Sequence, residues 1–135
     1  MATRMILSLV VALGLVVAAW GMAGDQQSAT PVSEKLLQAQ LDFARRTFEE
    51  MWKDQQFQLA ERPYQWSCRW LEAEKQLSDK KKDQKAACEA HLARMRDLKR
   101  ATDKLFQQKL LGIEQVYATD YYLAEAEVWV ARAKD

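Results

Sequence analysis

A thiol and an imidazole lie three residues apart in the sequence Cys88-Glu-Ala-His91. On a helix this spacing places both side chains on one face, where either could ligate a metal ion. A protein metal site needs about three or four ligands, however, and His91 is the only histidine in the chain. We therefore expect no metal ion and no haem, and we interpret His91 as a surface histidine beside a structural cysteine.

Two pairs of glutamates, Glu72/Glu74 and Glu125/Glu127, resemble the paired carboxylates of acid–base catalysis. Residues two apart on a helix point to different sides, so neither pair can converge on one substrate. The sequence also lacks a glycine-rich loop of the kind that binds phosphate. These residues therefore predict neither an enzyme nor a bound cofactor.

Cys68 and Cys88 are each ten residues from Ser78, one on either side. The stretch 78–85 is entirely polar, and a serine followed by an acidic residue is typical of a helix N-cap. If the chain reverses there, both cysteines lie roughly 15 Å from the turn on antiparallel helices. In an oxidising compartment we expect a Cys68–Cys88 disulfide that contributes about 3 kcal/mol. The alternatives are two buried free thiols, or one straight helix over 63–111 that holds the cysteines ~30 Å apart.

The segment 61–74 is echoed 53 residues later by the segment 114–127. Both open with glutamate, carry tyrosine at the fourth position and end in Glu-Ala-Glu, so that five of fourteen positions are identical. The match favours one helical hairpin written twice, although glutamate and alanine are common in any helix and coincidence is the alternative. The residues of this repeat motif are Glu61, Tyr64, Glu72, Glu74, Glu114, Tyr117, Glu125 and Glu127.

Residues 1–23 have the pattern of an export signal. Arg4 supplies a positive start, a long apolar run follows over 5–20, and small residues then suit cleavage after Ala23. The alternative is an uncleaved anchor, since about 20 apolar residues can span a bilayer. We expect an exported protein, periplasmic or secreted, whose N-terminal segment meets the membrane during export and whose residues 24–32 form a disordered linker.

Arg4 is the only charged residue of the signal segment, so the rest of the chain is formally neutral. Neutrality argues against nucleic acid or anionic membranes as partners, because binding to either depends on excess positive charge. Within the chain, 75–109 holds 11 basic and five acidic residues, whereas 110–131 holds four acidic residues and no basic one. We expect these two segments to be neighbouring helices, although each surface contact contributes only about 0–1 kcal/mol.

Apolar residues recur at helical spacing throughout 33–134, and no part of this domain alternates with the period of a strand. The pattern predicts an all-α domain of antiparallel helical hairpins, which form an elongated bundle of about four helices with coiled-coil-like packing. The helices are expected to begin near residues 30, 63, 79 and 113.

Gly112 is expected to end the third helix in the left-handed conformation. The fourth helix is apolar around much of its circumference, so we expect it to be the most buried of the four. One bundle core is predicted to bury eight large side chains: Leu41, Phe48, Trp66, Trp70, Leu92, Met95, Tyr117 and Leu123.

The segments 64–74 and 117–127, each a helix start followed by Glu-Ala-Glu, resemble the helical hairpins of the TolC-like outer-membrane efflux protein family. The passage from Gly112 to Lys134 is similar to the final segment of that family, where a glycine leads into a helix rich in leucine, alanine and glutamate. The resemblance implies long periplasmic coiled-coil hairpins that pack side by side. Because no strand periodicity accompanies the helical pattern, the resemblance favours helix–helix assembly and not a conduit.

These patterns favour an exported, non-enzymatic structural or interaction protein of the cell envelope. Its partner would be a protein, either a second copy or another envelope protein. The alternative is a periplasmic helical binding module, chaperone-like or stress-sensing, that holds clients on exposed aromatic side chains. A discrete multimer would favour assembly, and a monomer that suppresses the aggregation of unfolded clients would favour the binding module.

Overall fold

The computed structural model describes residues 33–53 and 59–133, which form four α-helices. Within these ranges there is no strand, and no helix combines the length and apolar character needed to cross a membrane. Each helix packs against the next along the chain, and the predicted all-α bundle of hairpins is thereby confirmed. The helices are α1 (Glu34–Lys53), α2 (Glu61–Leu77), α3 (Lys81–Gln107) and α4 (Ile113–Arg132).

The predicted signal segment 1–23, the linker 24–32 and the expected start of the first helix near residue 30 lie outside the described residues. From Glu34 onward, α1 shows the expected amphipathic pattern. Ala44 and Phe48 are buried on its inner face, at a spacing of four residues.

The second helix begins earlier than predicted, at Glu61 and not at Pro63. Pro63 is buried in the first turn, where the backbone N–H groups have no acceptor within the helix, so a missing N–H has no cost. The first helical hydrogen bond runs from the Tyr64 N–H to the Ala60 carbonyl, 3.3 Å away. The described part of α1 ends at Lys53, and Leu59 is not helical.

The predicted reversal at Ser78 is confirmed, and residues 78–80 separate α2 from α3. Ser78 is not the N-cap of α3, as its sequence context suggested, but the C-cap of α2. Gln84 closes the turn by donating to the carbonyls of Lys75 and Ser78, at 2.7 and 2.6 Å. The side-chain amide thus satisfies two carbonyls that the end of α2 leaves without helical partners.

The third helix ends at Gln107, and Lys109, two residues later, takes the left-handed position that was predicted for Gly112; that prediction was wrong. Lys109 has φ 60°, and its N–H donates to the Phe106 carbonyl while the Leu110 N–H donates to the Leu105 carbonyl. This pair of hydrogen bonds defines a Schellman motif. Gly112 is instead extended and serves as the N-cap of α4.

The core lies along α3, so the prediction that α4 is the most buried helix was wrong. Of the eight predicted core side chains, Phe48, Leu92 and Met95 are buried, four are half-buried, and Tyr117 is 66 % exposed. Tyr117 was misplaced because α4 carries apolar residues on two faces, and periodicity alone does not show which face turns inward. The half-buried four are Leu41, Trp66, Trp70 and Leu123.

The charge-based pairing of the last two helices is confirmed by their packing. Lys99 on α3 lies 2.5 Å from Asp103 on its own helix and 3.2 Å from Asp120 on α4. The Lys99 side chain is 20 % exposed, so water screens this bridge less than a fully exposed one.

Candidate functional site

Three polar side chains meet inside the bundle, and we call them the buried polar network: Ser67 on α2, and His91 and Arg94 on α3. The Ser67 hydroxyl lies 2.8 Å from His91 Nδ1, and Arg94 Nε donates to the same hydroxyl oxygen at 2.7 Å. Ser67 and His91 have no exposed surface. A polar contact between α2 and α3 therefore stands where apolar packing would be usual.

The protonation state of His91 follows from these contacts. Arg94 can only donate, so the Ser67 oxygen accepts from Arg94 and its own hydrogen is free to donate to His91 Nδ1. The remaining ring nitrogen, Nε2, is buried and has no hydrogen-bond partner among the described residues. Burial, helped by the charge of Arg94, lowers the pKa of His91 to about 4. The imidazole is therefore neutral at pH 7 and stacks on Trp129, with 5.2 Å between ring centroids.

Arg94 carries a desolvated charge between aromatic rings. Its guanidinium lies 4.0 Å from the ring centroid of Trp70 on α2 and 6.0 Å from that of Phe48 on α1. Burial lowers the pKa of Arg94 to about 10, against an opposing effect of the Glu74 charge. The side chain thus stays positive at pH 7 and links three helices through cation–π contacts.

Glu74 completes the surroundings of this charge. It accepts a 3.0 Å hydrogen bond from the Trp70 indole, while its other oxygen, Oε2, is buried and has no hydrogen-bond partner within the described ranges. The indole is therefore held between a carboxylate and a guanidinium of opposite charge. Such a network fixes the relative register of α1, α2 and α3 more specifically than apolar contacts do.

Ser67 and His91 have the residue types of a nucleophile and its base. Here the serine oxygen already accepts from Arg94, and neither side chain is reached by solvent. A substrate would have to enter the bundle to touch the hydroxyl. In this arrangement the hydrogen bonds of Ser67 and His91 hold α2 and α3 together in the core.

His91 is fully buried, so its interpretation as a surface histidine was wrong. The physical reason is that Ser67 and Arg94 supply polar partners that a lone histidine in a sequence does not reveal. A signal was nevertheless present, because His91 is three residues from Cys88 and four from Met95, on the apolar face of α3. Within the described ranges, no group of three or more potential metal ligands is present.

The first tyrosine of the repeat motif contacts the second copy of the motif. The Tyr64 hydroxyl donates to Glu125 at 2.5 Å, and Tyr121 approaches the other oxygen of the same carboxylate at 3.5 Å. Burial, followed by hydrogen bonds with Glu125 and Cys68, raises the pKa of Tyr64. The Glu125 carboxylate is thereby held between Tyr64 of α2 and Tyr121 of its own helix, α4.

The two copies of the repeat motif both open a helix, at Glu61 and beside Glu114, but their side chains have different surroundings. Tyr64 is half-buried and stacked on Tyr122, whereas Tyr117 is 66 % exposed. The glutamates also differ. Glu74 binds the Trp70 indole, whereas its counterpart Glu127 is exposed. Glu72 is exposed, whereas its counterpart Glu125 accepts a hydrogen bond from Tyr64. Duplication of the hairpin stays a prediction.

Both cysteines are free thiols in the structure, and the predicted Cys68–Cys88 disulfide is not formed there. The register inferred from Ser78 nevertheless brings both thiols to the same cleft, Cys68 from α2 and Cys88 from α3. Burial is the largest effect on each group and raises the pKa of both thiols. They are therefore protonated at neutral pH and behave as small apolar side chains.

That cleft, which we call the apolar cleft, has a volume of about 730 Å³. It lies between α2, the start of α3 and the end of α4, and its walls are mainly apolar. A volume of this size is typical of sites that hold small molecules. Its lining residues are Cys68, Arg69, Leu71, Glu72, Lys75, Lys81, Gln84, Cys88, Trp129, Arg132 and Ala133.

The outward face of α4 carries a second apolar line, which we call the outer stripe. Its large members are well exposed, Tyr117 by 66 %, Tyr121 by 63 % and Val128 by 45 %. The opposite face of the same helix buries Ala126 and Val130 in the core. The outer stripe consists of Ile113, Tyr117, Tyr121, Ala124, Val128 and Ala131, all of them exposed.

Compared with protein-family models, curated proteins and solved structures, the chain matches none of them.

Proposed function

We propose that this protein is an exported, non-enzymatic interaction protein of the cell envelope, which assembles with a second copy of itself through the outer stripe. The observation that carries the proposal is the exposure of this line of apolar residues on α4. The opposite face of this helix already packs in the core, and large exposed apolar patches mark interaction sites.

The spacing of the outer stripe suits a partner helix. Its members follow one another at intervals of three and four residues over the 20 residues of α4, the pattern of a helix–helix seam. The helix is thus about 30 Å long. Side-by-side packing of helical hairpins is also what the resemblance to TolC-like efflux proteins implies.

The distribution of size along the stripe favours a second copy in antiparallel orientation. Its first half is large, with Tyr117 and Tyr121, and its second half is small, with Ala124 and Val128. When two copies of α4 run in opposite directions, Tyr121 of one lies opposite Ala124 of the other, and Tyr117 opposite Val128. Large side chains then meet small ones at each level, as close packing requires.

The charges at the two ends of α4 support the same orientation. Glu114 lies in its first turn and Arg132 in its last. Antiparallel pairing brings Glu114 of one copy close to Arg132 of the other, and it does so twice by symmetry. An interface confined to one helix per copy falls near or below ~1,200 Å², the size of transient complexes, so we expect association that depends on protein concentration.

Sedimentation velocity over a range of concentrations tests the proposal. We expect a monomer–dimer equilibrium that Tyr121→Glu shifts to monomer, because a charge would be buried opposite Ala124. The matched control is Phe43→Glu, which alters an aromatic residue of α1 that is 68 % exposed and should leave the equilibrium unchanged. A monomer at all concentrations, or equal effects of both variants, would refute assembly through α4.

The antiparallel orientation of the two copies is tested separately by disulfide cross-linking. Export is tested by the mass of the recovered protein. Copies carrying Tyr121→Cys should form a disulfide with copies carrying Ala124→Cys when the two are mixed. Protein recovered from the periplasm or medium should begin at Gly24. Retention in the membrane with residues 1–23 intact would replace export by anchoring.

A helical binding module is the second candidate, favoured by the exposed aromatic rings of Tyr117 and Tyr121. Such a module would remain monomeric and would suppress the aggregation of an unfolded client protein. The same Tyr121→Glu variant separates the two functions, because it would then reduce client protection without changing the sedimentation coefficient.

A further inference from the structure

The apolar cleft has a floor and a rim of different chemistry. Leu71, Cys68 and Cys88 line it from α2 and α3, and Trp129 and Ala133 from the end of α4. The thiols are protonated at neutral pH, so they add no charge to this floor.

The rim of the cleft is basic. Arg69, Lys75, Lys81 and Arg132 border it, and Glu72 is the one acidic residue among the lining side chains. Over the whole chain basic and acidic residues nearly balance, with a net charge of +1. The excess of positive charge at this opening is therefore local, and it sits beside walls that favour an apolar group.

We propose that the apolar cleft binds a small single-chain amphiphile with an anionic head, its tail against Leu71 and Trp129 and its head at Lys75 and Arg132. A site of about 730 Å³ can enclose most of a small molecule. The basic rim selects against neutral and cationic heads, since ammonium and guanidinium groups form charge-assisted hydrogen bonds with carboxylates and phosphates. The cleft shares no residue with the outer stripe, and Arg132, which the proposed dimer pairs with Glu114, is the one residue that both proposals use.

Four compounds with a ten-carbon chain test the head-group preference on the full chain as the cell processes it. Isothermal titration calorimetry should show that decanoate binds more tightly than decanol, and decanol more tightly than decyltrimethylammonium, all below the concentrations at which they form micelles. Decyl phosphate should bind like decanoate if any anionic head suffices, whereas a preference of either compound over the other identifies the natural head group. Equal affinities for anion and cation would overturn the assignment of an anionic ligand.

The two cysteines report where the compound binds. Because Cys68 and Cys88 line the cleft, bound decanoate should slow the alkylation of both thiols by iodoacetamide. Binding that leaves both alkylation rates unchanged would place the ligand elsewhere and overturn the proposal.

Substitutions in the cleft test the basic rim and the apolar floor separately. Lys75→Gln and Arg132→Gln should each weaken decanoate binding about fivefold and leave decanol unaffected. Ala133→Trp, at the end of α4, should fill the cleft and abolish the binding of both compounds. Lys82→Gln is the matched control. Lys82 is exposed in the first turn of α3 but does not line the cleft. Circular dichroism checks that each variant folds. Full affinity in Ala133→Trp would refute the site.

Discussion

The Tyr64 hydroxyl of α2 donates a 2.5 Å hydrogen bond to the Glu125 carboxylate of α4, across 61 residues of chain. The Tyr64 ring also stacks on Tyr122, with 3.8 Å between centroids. One helical turn earlier, the Ala60 N–H donates to the Gln115 side chain at 2.9 Å. The beginning of α2 is therefore joined to α4, and α2, α3 and α4 form a closed three-helix unit.

Tyr64→Phe should lower the free energy of unfolding by about 1.5–3 kcal/mol, the range for a hydrogen bond to a charged group. Urea denaturation measures the loss, and a double-mutant cycle with Glu125→Gln isolates the pair. Tyr117→Phe is the control from the second copy of the repeat motif, and its exposed hydroxyl should contribute almost nothing. Equal losses in the two variants would contradict the different surroundings of these tyrosines.

The stability of the protein should fall as the pH is lowered from about 6.5 to about 4. Burial holds the pKa of His91 near 4, below its ordinary value of 6.5. In this interval the unfolded chain binds a proton at His91 and the folded chain does not, so unfolding is favoured by up to about 3 kcal/mol. Thermal melts at closely spaced pH values measure the decline.

His91→Gln is the control for this pH dependence. Glutamine does not titrate, so the variant should be less stable at pH 7 and should lose less further stability between pH 6.5 and 4. A wild-type slope that persists unchanged in His91→Gln would assign the effect to other groups.

Trp70→Ala should lower the free energy of unfolding by about 3 kcal/mol, the lower end of the range for an emptied aromatic site, because Trp70 is half-buried. The change removes the ring beneath the Arg94 charge and the donor to Glu74. Trp66→Ala, on the same helix, is the comparison, since its ring stacks on the exposed Arg69. Chemical denaturation should show the smaller loss for Trp66→Ala, and the opposite order would show that the Arg94 site contributes little.

Lys109→Gly should raise the free energy of unfolding by up to about 1 kcal/mol, because glycine adopts the left-handed conformation without strain from a Cβ atom. The φ angle of Lys109 is 60°. Gly112→Ala provides the contrast at an ordinary φ of −79°, where the atoms nearest to the new Cβ belong to the movable end of the Glu114 side chain. Thermal melts that rank Gly112→Ala as the more stabilising change would argue against strain at Lys109.

Much of the fold could be predicted because it depends on local signals. The polar stretch that begins at Ser78 ends α2, and the charge difference between the last two segments identifies α3 and α4 as neighbours. Helix ends were less predictable, since Lys109 and not Gly112 takes the left-handed position. Glycine is favoured there but not required, and hydrogen bonds to Leu105 and Phe106 hold the lysine in place.

The buried polar network could not be predicted because its members are distant in sequence. Ser67 and Arg94 are 27 residues apart, and each is ordinary on a helix surface. The burial of Ser67 follows from the rotation of α2 about its axis, which turns Ser67 and Leu71 inward and leaves Trp66 and Trp70 half-buried. Aromatic spacing favoured the opposite rotation, and the sequence contains no local signal that decides between them.

The order in which the helices pack has a consequence for how the chain acquires its structure. Each helix packs against the one before it in the sequence, so three hairpins can form in succession from contacts that are local along the chain. Such local contacts carry a low cost in loop-closure entropy and are typical of fast-folding proteins. The bond between Tyr64 and Glu125 closes a loop of 61 residues, so we expect it to form after the hairpins. Tyr64→Phe should therefore accelerate unfolding and leave the refolding rate nearly unchanged.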